Sequence, residues 1–96
     1  MNDLDNMKAH LEMVMATLRN IRGQIDEMRN MKESDPDTWW HQYTFQRDLE
    51  CLAEQEVAKY RKALWRAGVP GAEINRMTVG WSAEERYREL MKKKEA

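Results

Sequence analysis

The chain has 96 residues, 34% of them charged and 42% apolar, with a formal net charge of −1. It is long enough for one compact domain, too apolar for wholesale disorder and too charged for a membrane protein. Near-neutrality argues against the basic field of a non-specific nucleic-acid binder and the acidic field of a DNA mimic, although a local basic patch remains compatible with it.

The single cysteine, Cys51, excludes a disulfide scaffold within one chain. The N-terminal stretch MNDLDNMKAH carries acids where a secretion signal would carry lysine and then an apolar run, so the expected compartment is the cytoplasm. No stretch approaches the ~18 apolar residues of a membrane span.

The first predicted element is a helix over about 3–33. Its apolar residues are Leu4, Met7, Leu11, Val14, Leu18, Ile21, Ile25 and Met28, and the gaps between them alternate three and four. That is a heptad seam, which asks for a helical companion. Gly23 falls opposite the seam, where it disrupts no packing. Lys8, Arg22 and Arg29 flank the seam on one side, and His10, Thr17, Gln24 and Met31 on the other. Both flanks lack the acids that a parallel zipper uses to pair its strands, so an antiparallel hairpin or a mixed bundle is expected. Met13, Met15 and Met31 read as lying off or beside the seam.

The stretch Lys32-Glu33-Ser34-Asp35-Pro36-Asp37 breaks the first helix and starts a second. Proline suits the first helical position, and Ser34 or Asp35 can supply the cap. The second helix is predicted over about 36–67. Phe45, Leu49, Leu52, Ala53, Val57, Tyr60, Ala63, Leu64 and Ala67 share one side, interrupted by Glu56. This stripe is wide enough to touch more than one neighbour. Trp40, Cys51 and Trp65 project to the opposite side, with Tyr43 at its margin. Gly68-Val69-Pro70-Gly71 stops the helix. Residues 72–77 make one or two helical turns within a connecting stretch, 68–81. A last helix over about 82–94 starts at the capping box Ser82-Ala83-Glu84-Glu85 and ends in three lysines. The expected fold is therefore all-α. A long antiparallel, coiled-coil-like hairpin carries a short C-terminal helix across its open end, and two copies assemble into a dimeric helical bundle.

No constellation for catalysis stands out. Cys51 sits among Asp48, Glu50 and Glu54, which disfavour a thiolate. His10 and His41 lack ligand-type partners at helical spacing, so no metal, cofactor or enzymatic activity is expected. Glu50 with Glu54, and Glu84 with Arg88, read as solvated helix faces. Residues 67–76 (AGVPGAEINR) resemble the opening of a helix-turn-helix, with Gly80 as the turn glycine and Ser82 to Met91 as the recognition helix. That helix would begin with Glu84 and Glu85, where base contacts are made, and acids there oppose a polyanion.

Four tryptophans and eight methionines in so short a chain exceed what one small core requires. Trp, Met and Arg are enriched at interface cores. The expected function is therefore a non-enzymatic protein-interaction module, acting as adaptor, regulator or inhibitor of a larger protein. By analogy of style alone, small helical phage and mobile-element products, anti-defence inhibitors among them, belong to this class. The alternatives are a small DNA-binding regulator using 67–94 and a virion or assembly component. The expected partner-binding residues are Trp40, Tyr43, Arg47 and Trp65 as one face, with Arg22, Arg29, Arg86 and Arg88 beside them.

Overall fold

The computed structural model describes residues 3–82 and 91–92, and the described residues form an all-α helical hairpin with a third layer on one side. The first long helix, α1, spans Asp3–Glu27 and is followed by a 3-10 turn, Met28–Asn30. A single further turn, α2, spans Met31–Ser34; the second long helix, α3, spans Pro36–Arg66; and a short helix, α4, spans Gly71–Met77. Of the helix expected over 82–94, Met91 and Lys92 are helical; its remaining residues, Ser82 apart, lie outside the described ones.

The unbroken first helix expected over 3–33 is corrected to α1, a tightened turn and α2. Glu27 and Asn30 keep helical dihedrals, φ −65° and −69°, so the rod continues while its winding changes. Three residues per turn rotate the chain faster than 3.6, and Met28 is turned to the hairpin interior, where it is 8% exposed.

The reversal follows from Asp35 and Pro36. A residue preceding proline is driven out of the helical region, and Asp35 sits at φ −148°, ψ 76°. Its carboxylate accepts from the Thr38 amide at 3.3 Å, capping α3, and Pro36 occupies the first turn, where no amide donor is needed. Ser34 instead turns its hydroxyl back to the carbonyls of Asn30 and Met31.

Along the hairpin His10 meets Tyr60, Arg22 meets Glu50 and Lys32 meets Trp39, the descending order of an antiparallel pair. Leu11, Leu18, Val57 and Leu64 are fully buried between the helices. Leu4, Met7, Val14 and Ile25 are only half-buried against this core. Met15, expected off the seam, is 1% exposed. The buried stripe of α1 is thus rotated from the heptad line toward Met15 and Arg22, because the third layer lies on that side.

Gly68 makes the third layer possible. It takes φ +93° and donates to the Trp65 carbonyl, while Val69 donates to the Leu64 carbonyl at 3.0 Å. This is a Schellman ending, completed by the apolar contact it normally carries, here between Leu64 and Val69 in the core. The chain then returns along the hairpin. Ile74 enters the core, and Thr78, fully buried, donates its hydroxyl to the Ile74 carbonyl at 2.7 Å.

Candidate functional site

Three cationic side chains hold the third layer. At one end the Lys8 ammonium meets Glu73 at 2.9 Å. In the middle Arg61 donates to Asn75 at 2.9 Å and to the Thr78 hydroxyl, and its guanidinium lies 5.2 Å from the Trp81 ring centroid. At the far end Arg22 is the buried hub. It donates to Glu50 at 3.0 Å, to Glu54 at 3.1 Å, to the Trp81 carbonyl at 2.9 Å and to the Gly80 carbonyl. Arg47 also donates to Glu50, so the cluster contains two cations and two anions.

This arrangement corrects two expectations. Arg22 is 9% exposed and its guanidinium is occupied inside the fold, so it is no partner-binding residue. Glu50, expected on a solvated face, is 3% exposed and is the principal counter-charge. A buried arginine is stable only where its donors are met, and Arg22 finds four acceptors, two carboxylates on α3 and two carbonyls of the turn after α4.

The expected aromatic face divides into two. Near the hairpin turn Trp39 stacks on Tyr43 with centroids 4.8 Å apart and planes at 17°, and Trp40 lies 6.4 Å from Tyr43 at 30°. Trp40 is 58% exposed. Lys32 sits over Trp39 at 5.2 Å, Arg29 is exposed beside it with a 3.6 Å contact to Asp26, and Arg47 is half-exposed one turn beyond Tyr43. Together these residues form an aromatic shelf with a basic edge.

Trp65 is not part of this shelf. It is twenty-five residues farther along α3, about 37 Å away at 1.5 Å per residue, and packs near Gly71 beside α4. It is nonetheless exposed. Arg86 and Arg88 lie outside the described residues, as does most of the would-be recognition helix of the helix-turn-helix resemblance.

A second exposed surface was not anticipated as a unit. On the side of the hairpin away from the third layer, Val14, Ile21, Leu49 and Ala53 floor a groove between α1 and α3. Met13 and Leu52 form its lips and are 66% and 59% exposed. Phe45, one turn beyond Leu49 on the same stripe of α3, is also largely exposed. The signal was present in the sequence as surplus width of the α3 stripe, but width alone does not tell which edge stays open.

Cys51 is exposed, with the Gln55 amide 3.7 Å from its sulfur. Among the described residues no three His, Cys, Asp or Glu side chains converge as a metal site, and no helix is long and apolar enough to cross a membrane. No family model, curated protein or solved structure matches the chain.

Proposed function

We propose that this chain is a non-enzymatic binding module that engages another protein through the shelf of Trp39, Trp40 and Tyr43. The observation that carries this reading is an exposed tryptophan held in a preformed stack. Aromatic side chains lose little freedom on binding when neighbours already fix them, and such residues dominate interface energetics. Trp40 stands on a capped helix within a turn of its proline start, so its backbone is rigid. The roles that fit are adaptor, regulator or inhibitor, all of which need a contact surface and no chemistry.

The shelf also suggests the kind of partner. Lys32, Arg29 and Arg47 border it, and cations beside an aromatic surface favour an apolar side chain flanked by carboxylates. The rigid shelf supplies most of the affinity, and the basic edge supplies orientation.

Site-specific photocrosslinking in the native cells tests this. Trp40→p-benzoylphenylalanine should yield adducts heavier than two copies of the chain, whereas Ala16→p-benzoylphenylalanine, on the outward face of α1, should not. With the captured partner purified, Trp40→Ala should weaken binding by about 2 kcal/mol, the scale of an interface hot spot, with unchanged helicity. Equal adducts from both positions, or none from position 40, would remove the shelf from the function.

A further inference from the structure

We infer that the groove between α1 and α3 is the docking surface for a second copy of the chain. Two hairpins would pack face to face through it as a two-fold, four-helix arrangement. This inference concerns the side of the hairpin opposite the third layer and does not depend on the shelf.

The first argument is that the surface is apolar and nothing among the described residues covers it. Val14, Ile21, Leu49 and Ala53 form its floor, and the exposed lips Met13 and Leu52 extend it outward. A single hairpin with one covered face leaves half of its apolar width in water. Pairing with a like face is how helical bundles bury such a stripe.

The second argument is charge. The groove-side edge of α1 runs through Asn6, His10, Met13, Thr17 and Gln24, without an acid or a lysine or arginine. Its opposite edge carries Lys8, Glu12, Arg19 and Asp26. On α3 the one charged residue lining the groove is Glu56, exposed at its rim. A strongly charged partner would meet no complement on this surface. A second copy brings the same uncharged α1 edge, against which Glu56 can stay at the wet rim, and at a net charge of −1 the two copies scarcely repel.

The third argument is size. A helix the length of α1 is about 37 Å long, and two helices side by side are roughly 20 Å wide. The whole hairpin face is therefore on the order of 700 Å² per copy, close to the ~800 Å² per partner of a stable specific interface, and the groove, lined over residues 10–21 and 49–56, is its apolar middle. The groove is thus the apolar centre of a face of dimer dimensions.

The experiment is sedimentation equilibrium of the full chain between about 5 and 200 µM, with circular dichroism on the same samples. The expected mass is twice the 11.5 kDa of one chain, falling toward one chain on dilution. Leu52→Glu should raise the dimer dissociation constant at least a hundredfold while helicity is retained, since Leu52 already faces water in one copy. Met13→Glu, on the facing helix, should act in the same direction and provides the test if Leu52→Glu fails to fold. Trp40→Ala should leave the mass unchanged, which separates this surface from the shelf. A single-chain mass at 200 µM, or a dimer that persists in well-folded Met13→Glu and Leu52→Glu, would overturn the inference.

Discussion

The two broad faces of the hairpin are built from the same pair of helices and end differently. On one face Met15 is sealed where the third layer packs, and Ile74 and Val69 of that layer are buried with it. On the other, Leu52 and Phe45 are left in water. Both faces are apolar along their centre line, so hydrophobicity does not decide which is covered. The difference lies in the edges. The sealed face is bordered by Lys8, Arg22 and Arg61, each engaged by the returning chain. The open face has an uncharged α1 edge. Burying apolar area drives closure without choosing a register. Directional, charge-assisted bonds choose it, so the chain covers itself where those bonds are available and leaves the other side open.

Substitutions at four positions break or sharpen this contrast. The largest effect is expected from Arg22→Ala, which leaves the buried Glu50 with only the half-exposed Arg47 as its cation and removes the guanidinium donors from the Gly80 and Trp81 carbonyls. Removing one partner of a buried pair costs about 3–5 kcal/mol, a large share of the stability of a domain this size. Urea denaturation followed by tryptophan fluorescence measures it, and a loss below about 1 kcal/mol would mean that the cluster does not hold the sealed face. Arg22→Lys should recover only part of the loss, because an ammonium lacks the planar fork that reaches four acceptors.

An intermediate effect is expected at Gly68. Its φ of +93° is unfavourable for any residue with a Cβ, although the space around it is open. Gly68→Ala should therefore lose about 1–2 kcal/mol through backbone strain alone, seen as a lower melting temperature with the helical signal preserved. A neutral result would show that the turn into the third layer relaxes freely.

The smallest effect is expected on the open face. Leu52→Ala should change the stability of the isolated chain by no more than about 0.5 kcal/mol, as for other surface positions. The same change at the buried Leu18 should cost about 2–5 kcal/mol. Denaturation at the lowest workable concentration, where association contributes least, compares the two. Equal losses would abolish the distinction between the faces.

Much of the architecture is legible in the residues. The hairpin follows from the heptad spacing, from Asp35 and Pro36 at the reversal and from Gly68 at the end of α3, all of which act through neighbours close in sequence. The side on which the hairpin would be covered is not legible in this way. Lys8 and Arg22 stand seven-residue steps apart with Met15 between them, and that line reads as a basic flank. It is in fact where the returning chain packs, and Arg22 meets carbonyls 58 and 59 residues away. Charge periodicity alone cannot distinguish solvent from a distant segment of main chain. The same holds for Glu50 and Glu54, since an i, i+4 acid pair looks alike on a wet surface and around a buried guanidinium. At the shelf, the three-residue spacing sets Trp40 beside Tyr43, with Arg47 one turn beyond. Spacing also groups Trp65 with them, because azimuth around a helix repeats, while distance along the axis keeps growing.

The buried guanidinium grips residues 80 and 81 by their carbonyl oxygens, and this has a consequence for how the protein tolerates change. At those two points the clamp reads where the main chain passes, not which side chains it bears. Inserting or deleting a single residue between Pro70 and Gly80 would slide both oxygens off the guanidinium, whereas many replacements along the same stretch would leave them in place. Length, more than composition, is the quantity this connection must conserve.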